Sequence, residues 1–134
     1  MSKQSSPHEK ISDLLTSISN PVRVQILLAI GKGEACVCHL EALLGLRQAY
    51  ISQHLMALRN REIITARRDG KYIFYRLVKP EMLDIIRNVG RLAGVSEEAM
   101  VIQDHSNCEC PKCSIGVREE STSLVERCPE LVEG

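Results

Sequence analysis

The sequence predicts a mainly α-helical domain with a small β-hairpin, arranged as a winged helix-turn-helix in a homodimer. Residues 36–44 and 48–60 have the apolar spacing of two short helices, and a turn at Gly45 separates them. Residues 63–77 then hold two β-rich runs around a hairpin signal, which places a wing after the second helix. Residues 80–93 have more apolar positions than a small domain buries, so we expect this helix and the first helix to form a dimer interface.

The first two helices are expected from their apolar spacing and their caps. Residues 8–19 have apolar side chains at the i, i+3, i+4, i+7 spacing of an amphipathic helix. Asn20 and Pro21 follow as an N-cap and a proline at the first helical position, and Gly31 is expected to end that second helix. The second helix is apolar nearly all round, which predicts a central, buried position.

The wing is expected from its turn and its β-forming residues. The runs 63–66 and 72–77 are rich in β-branched and aromatic residues. Asp69-Gly70 between them is typical of a tight hairpin. A further short helix is expected within residues 96–104, where Ser96 and two glutamates resemble a helix start.

Length and composition predict one domain with a tail. The chain has 134 residues, of which 44% are apolar, and we expect a DNA-binding and dimerisation domain over 1–95. Residues 96–134 are thiol-rich and acidic, and without clear periodicity we expect them to be partly disordered. No apolar stretch approaches the roughly 20 residues of a membrane span, and no secretory signal is apparent. These features predict no membrane partner and a cytoplasmic location.

The charge is balanced overall but unevenly distributed. Residues 47–79 hold eight Lys and Arg against two acids, whereas residues 97–134 hold nine acids against three bases. A basic middle followed by an acidic tail is an electrostatic footprint for a polyanion. The alternative interpretation of the basic segment is an ordinary solvated face.

Polar side chains on the second helix of the helix-turn-helix are candidates for reading base edges in the major groove. Glutamine is suited to this because its amide can pair bidentately with adenine. Basic residues on the wing are candidates for phosphate or minor-groove contacts. The predicted DNA-binding residues are Arg47, Gln48, Tyr50, Ser52, Gln53, His54, Arg67, Arg68 and Lys71.

Two cysteines lie at the expected start of the helix over residues 36–44. The helix dipole favours a thiolate at that position, and thiolate is a ligand for soft ions. Cys36 and Cys38 are two residues apart, so in a regular helix they would point about 200° apart. The two sulfurs can therefore share an ion only if Cys36 lies at or before the first turn.

The tail holds a second cysteine cluster, Cys108, Cys110 and Cys113, whose spacing favours metal binding by a loop. Three arrangements are open: the tail binds an ion alone, it completes the first pair across or within the dimer, or two separate sites exist. We expect Cys36 and Cys38 to form the sensing pair and the tail to supply at least one ligand. The alternative for the tail is a structural zinc clip or adventitious thiols.

Together these features resemble the ArsR/SmtB family of winged-helix metal-responsive repressors. The resemblance covers roughly residues 8–95. Its motifs, in order, are Asn20-Pro21-Val22-Arg23, Cys36-Val37-Cys38-His39-Leu40, Gly45-Leu46, Gln48-Ala49-Tyr50-Ile51-Ser52-Gln53-His54-Leu55 and Arg67-Arg68-Asp69-Gly70-Lys71. The resemblance implies a homodimer that binds a palindromic operator on double-stranded DNA and leaves it when a metal or metalloid binds, with As(III) or Sb(III) favoured as the inducer.

The sequence departs from the family pattern at two positions. Arsenic-sensing members often have a third cysteine where this chain has Glu41, which removes one ligand from the helix. Arg47 stands where the family commonly has a Ser or Thr cap, a change expected to weaken the cap by about 1 kcal/mol. Residues 80–95 contain no histidine, so the Asp and His site of the zinc-sensing members is not expected.

Other functions of the same fold stay open. A fourth sulfur or an oxygen ligand would suit Cd(II), Pb(II) or Zn(II) instead of a trigonal metalloid. A thiol redox-sensing repressor would use the same cysteines for oxidation. An enzyme is not expected, because the chain has no phosphate-binding glycine loop and no set of residues for nucleophilic catalysis.

Overall fold

The structure is a computed structural model and describes residues 4–102. Within that range the chain forms six helices and three short strands. In chain order they are α1 (Pro7–Ser17), α2 (Pro21–Ile30), β1 (Ala35–Cys36), α3 (Val37–Leu44), α4 (Gln48–Asn60), β2 (Ile64–Asp69), β3 (Tyr72–Leu77), α5 (Glu81–Leu92) and α6 (Glu97–Met100). The predicted fold class, mainly α with a β-hairpin wing, is confirmed.

Caps at the starts of the first two helices agree with their sequence signals. Ser6 and Glu9 form a reciprocal capping box at α1, with the Ser6 hydroxyl accepting from the Glu9 N–H at 3.1 Å. The Asn20 side chain accepts from the Val22 N–H at 2.8 Å, and Pro21 occupies the first position of α2. The predicted cap at Asn20 is therefore confirmed.

The core lies where α2, α3 and α4 meet the sheet. Ile26 and Leu27 of α2, Leu40 of α3 and Leu55 of α4 are at most 1% exposed. α2 packs against α3, α4, α5 and β3, which agrees with its predicted central position. Gly45 ends α3 with a φ of 68°, and this left-handed turn directs the chain into α4.

The sheet has one strand more than the sequence predicted. β2 and β3 form the antiparallel hairpin, and Gly70 in its turn has a φ of 67°. β1 joins the other edge of β3, so the order is β1-β3-β2, with Ala35 opposite Tyr75 and Cys36 opposite Phe74. A strand of two residues has no periodicity to detect in the sequence, and only its pairing with β3 defines it.

α1 and α5 each leave part of an apolar face uncovered in the protomer. The exposed large apolar residues are Ile11, Leu14 and Leu15 on α1 and Ile85, Val89 and Leu92 on α5. The inner side of α5 is buried through Met82, Leu83 and Ile86. α6 packs against α5, and a Cβ on Gly90 would overlap the sulfur of the buried Met100, so a larger residue there requires the Met100 side chain to move.

None of the helices described here is both long enough and apolar enough to cross a membrane.

Candidate nucleic-acid interface and sulfur pair

α4 presents one outward face and one inward face. Ile51, Leu55 and Leu58 point into the core, at the i, i+4, i+7 spacing of one helical face. On the opposite side Gln53 is exposed, and Ala49 and Met56 flank it, with Met56 62% exposed. This outward face is available to enter a groove of DNA.

The predicted base-reading residues divide between these two faces. Gln53 is exposed, Tyr50 is 42% exposed, and Ser52 is half-buried at the edge of the outward face. Gln48 is half-buried in the first turn of α4. Arg47 is the exposed N-cap residue and makes no side-chain cap bond, as the departure from the family pattern led us to expect.

The position of His54 requires a correction to the predicted set. His54 is only 9% exposed, and its Nδ1 accepts a hydrogen bond from Nε of Arg23 on α2 at 3.1 Å. His54 is three residues after Ile51 and four before Leu58, so helical geometry places its imidazole on the same inward face as these core residues. Burial and the adjacent Arg23 lower the pKa of His54, which favours the neutral, hydrogen-bond-accepting form. We therefore exclude His54 from the base-contacting residues.

The wing cations have different surroundings. Arg68 and Lys71 are exposed near the tip of the hairpin. Arg67 forms a bidentate ion pair with Glu34, with Nε and one terminal nitrogen 2.9 and 2.7 Å from the carboxylate oxygens. The Arg67 guanidinium also lies 5.0 Å from the centre of the Phe74 ring. These hydrogen bonds to Glu34 raise the pKa of Arg67, which keeps its cation fully charged.

Cys36 and Cys38 are brought together by a change of backbone conformation between them. Cys36 is extended, with φ −92° and ψ 167°, and is the N-cap of α3, whereas Cys38 lies in the first turn of that helix. Because Cys36 precedes the helix, the two sulfurs avoid opposite faces and lie 3.1 Å apart. The condition that the sequence set for a shared ion is met, and both side chains are buried.

The described residues supply only part of a metal site. No group of three or more His, Cys, Asp or Glu side chains suited to one ion occurs between residues 4 and 102. Two sulfurs are too few for a trigonal or tetrahedral ion, so the pair fits a soft ion only if another ligand joins it. The predicted ligands Cys108, Cys110 and Cys113 lie outside the described residues.

Sequence reasoning missed three residues at these sites. Ala49 and Met56 lie on the outward face of α4, and a helical projection centred on Gln53 would have found them. Glu34 pairs with Arg67 across 33 positions of sequence, and no local signal indicates that pairing.

Comparison with known proteins identifies relatives over most of the described chain. Residues 20–66 match the model of the bacterial regulatory protein arsR family. A biofilm growth-associated repressor of Agrobacterium fabrum is 34% identical over 89 residues, which are 66% of this chain and 76% of the relative. An arsenical resistance operon repressor of Staphylococcus aureus is 28% identical over 103 residues, 77% of this chain and 98% of the relative.

Solved structures with the same fold include the following two. Reduced HlyU from Vibrio cholerae superposes with a TM-score of 0.56 at 34% identity, over 63% of this chain and 94% of that one. The antimony-specific transcriptional repressor AntR superposes with a TM-score of 0.59 at 29% identity, over 68% of this chain and 83% of that one.

Proposed function

This chain belongs to the arsR family of bacterial regulatory proteins, and we propose that it is a metal- or metalloid-responsive repressor. The relatives named above are DNA-binding transcriptional repressors and not enzymes. As a homodimer in the cytoplasm it binds a palindromic operator, and it leaves the DNA when a soft, thiophilic ion binds. The observation that carries the proposal is the 3.1 Å separation of the Cys36 and Cys38 sulfurs at the start of the helix before α4.

DNA binding is assigned to α4, hereafter the recognition helix, and to the wing. Gln53 is placed to pair with adenine, and Ala49 and Met56 are suited to thymine methyl groups. Arg47, Gln48, Tyr50 and Ser52 surround this face at the N-terminal end of the helix, where unpaired N–H groups attract phosphate. Arg68 and Lys71 supply phosphate contacts from the wing, and Arg67 does so when it leaves Glu34.

Homodimerisation is supported by the uncovered apolar faces of α1 and α5. Leu92 and Val89 on α5 are 89% and 52% exposed, and Ile11 on α1 is 60% exposed. A second copy of the chain would cover both faces by an isologous contact. Such a dimer would present two recognition helices to half-sites about 34 Å apart.

Inducer binding is assigned to Cys36 and Cys38, with at least one further ligand from Cys108, Cys110 or Cys113. The separation of 3.1 Å allows one ion to reach both sulfurs. Three thiolate ligands, two from this pair and one from the tail, suit a pyramidal ion such as As(III) or Sb(III). Similarity to an arsenical operon repressor and to an antimony-specific repressor supports the same choice over Cd(II), Pb(II) or Zn(II).

Two physical routes link the sulfur pair to the DNA-binding elements. Cys38 lies on α3, which packs against the recognition helix and leads to it through the turn at Gly45. Cys36 lies on β1, which pairs with β3 opposite Phe74, the ring beneath Arg67 of the wing. An ion bound by Cys36, Cys38 and a cysteine of the tail would shift both cysteines, and so would act on the recognition helix and on the wing. An allosteric coupling of about 1–3 kcal/mol would reduce operator affinity roughly 5–150-fold.

The test is a titration of the protein bound to an operator duplex selected from a random pool, followed by fluorescence anisotropy. We expect As(III) or Sb(III) to release the DNA, with a fall in affinity of about 5–150-fold. Replacing Cys36 and Cys38 by serine should abolish the response, and so should ending the chain at residue 104, since the pair then lacks its further ligand. Cys128→Ser is the matched control and should respond normally. Release by the doubly substituted protein would contradict the proposal.

A thiol redox-sensing repressor is the second candidate, and two observations favour it. The sulfurs are close enough for oxidation at one to affect the other, and the similar HlyU was solved in a state described as reduced. Oxidation of two thiols by peroxide would yield a disulfide and two water molecules. Release of DNA by peroxide in the presence of a chelator, with no response to metalloids, would select this candidate.

A further inference from the structure

A partly buried polar network joins α1, α2 and the recognition helix. Arg23 of α2 donates from Nε to Nδ1 of His54 at 3.1 Å and from a terminal nitrogen to the carbonyl oxygen of Ser17 at 2.9 Å. Arg61, the C-cap residue of the recognition helix, donates to the Ser17 hydroxyl at 2.9 Å. Ser17 closes the network by donating that hydroxyl to the carbonyl oxygen of Asp13 in α1 at 2.8 Å.

This network occupies a place where an apolar side chain would be expected. His54 shares its helix face with Ile51, Leu55 and Leu58, all of which are at most 1% exposed. Because Nδ1 accepts from Arg23, the proton of the neutral ring is on Nε2, and that buried N–H has no hydrogen-bond partner among residues 4–102. A leucine would remove that donor but would leave the Arg23 Nε–H without its acceptor, so the role of the histidine is to hold Arg23 and not to fill the core.

The two connections restrain different movements of the recognition helix. His54 lies near the middle of the helix and Arg61 at its end, about 10 Å apart along the axis at 1.5 Å per residue. Both connections reach Ser17, the last residue of α1, one through Arg23 and one directly. Two restraints separated along one helix oppose both its tilt and its rotation about its own axis.

We propose that Ser17, Arg23, His54 and Arg61 are positioning residues that hold the recognition helix at a set angle to α1. This inference rests on the proposed function, since α1 is part of the surface assigned to the dimer. In that dimer α1 is fixed relative to the two-fold axis, so the network determines the separation of the two recognition helices. It therefore determines which half-site spacing the repressor accepts.

The consequence for DNA binding is a loss of spacing selectivity, separate from any loss of affinity for DNA in general. One base pair changes the half-site separation by about 3.4 Å and rotates one half-site by roughly a tenth of a turn. A recognition helix held at a set angle cannot follow that change, whereas a loosened one can. The number of phosphates contacted stays the same, so the salt dependence of non-specific binding should not change.

The experiment compares two substitutions of His54 on three duplexes: the palindrome selected by the parent protein, and the same half-sites moved one base pair closer or further apart. His54→Asn keeps an acceptor near the position of Nδ1, and His54→Leu removes it. We expect the parent and His54→Asn to prefer the selected spacing by roughly fivefold or more, the effect of losing one base contact. His54→Leu should bind all three duplexes within about twofold of one another, with an unchanged salt slope on random DNA.

Each other outcome has a distinct meaning. Folded His54→Leu with the spacing preference of the parent would overturn the inference and leave the proposed function intact. If the parent selects no palindrome, the proposed function fails and the inference fails with it. If His54→Leu does not fold, Ser17→Ala takes its place, since it removes a single hydroxyl that accepts from Arg61. A spacing preference unchanged in Ser17→Ala would likewise overturn the inference.

Discussion

At the residue scale, the end of the recognition helix shows how one unfavourable backbone position is accommodated. The Ile63 N–H bonds to the carbonyl of Leu58 and the Glu62 N–H to that of Arg59, which together form a Schellman motif. The position between these bonds needs a left-handed residue, and Glu62 occupies it with a φ of 61°. Glycine is the usual residue there because a Cβ is strained in that conformation.

Replacing Glu62 by glycine should therefore stabilise the domain. The left-handed conformation costs a residue with a Cβ about 1–2 kcal/mol, and the greater freedom of glycine in the unfolded chain offsets part of this. We expect the free energy of unfolding to rise by about 0.5–1 kcal/mol, measured from urea denaturation midpoints. Met56→Gly, at an exposed position inside the same helix, is the control and should lower it by about 1 kcal/mol. A loss of stability in Glu62→Gly would contradict this account.

Histidine and cysteine show that side-chain environment decides function at this scale. A histidine side chain can hydrogen-bond to DNA bases, but His54 lies on the inward face of its helix and accepts a hydrogen bond from Arg23. Cys36 and Cys38 are close because one is in extended backbone and the other is helical. The same residue types two or three positions away along the helix would have neither contact.

At the element scale, the wing is tied to the segment that leads into the cysteine pair. Glu34 lies two residues before Cys36, and its carboxylate neutralises Arg67 on β2. Arg67 also lies near Asp69 at 3.6 Å and above the Phe74 ring of β3. In this state Arg67 adds little net positive charge to the wing, whereas Arg68 and Lys71 remain exposed.

Removing the Glu34 carboxylate should free the Arg67 guanidinium to contact a DNA phosphate. In Glu34→Gln the Arg67 guanidinium loses its bidentate ion pair and keeps only the longer contact with the exposed Asp69, so we expect one more phosphate to be neutralised. The plot of log affinity against log salt concentration should then become steeper by about 0.9, measured on a random duplex. Glu98→Gln changes the total charge equally on an exposed position of α6 and is the control. Equal slopes for the two variants would show that Glu34 does not restrain Arg67.

At the scale of the whole molecule, the proposed homodimer would join two recognition helices through the uncovered apolar faces of α1 and α5. The inner side of α5 is part of the core, so its outer residues can be altered without opening the domain. A protein can select half-sites about one helical turn apart only if its two recognition helices are held at a fixed separation in one dimer. The network around Ser17 would extend that rigidity from α1 to the recognition helix.

A charge on the outer face of α5 should separate the protomers. Val89 is 52% exposed in the protomer, so Val89→Glu should leave folding intact but place a carboxylate in the proposed interface. We expect monomers in analytical ultracentrifugation at micromolar concentration and at least a tenfold loss of operator affinity, since two half-sites are no longer bound together. Gln25→Glu, exposed on α2, is the control and should remain dimeric. A dimeric Val89→Glu would place the interface elsewhere.

Local signals in the sequence determined the helices, the hairpin and the polarity of the recognition helix. The cap at Asn20, the glycines at 45 and 70, and the apolar spacing of α1 and α5 depend on neighbours within one or two turns. The motifs of the family resemblance are also local, so they are visible in the sequence over roughly residues 8–95. The outward position of Gln53 follows from the spacing of the core residues beside it.

Only the tertiary structure decided which of the candidate residues meet. β1 exists because two residues pair with β3, His54 is buried because Arg23 and the core enclose it, and Arg67 is paired because the fold brings Glu34 to it. These contacts join residues 31 to 40 positions apart, so they depend on how elements pack and not on any local pattern. Sequence determines which chemistry is present on each element, and packing determines which of those groups are exposed, neutralised or held in place.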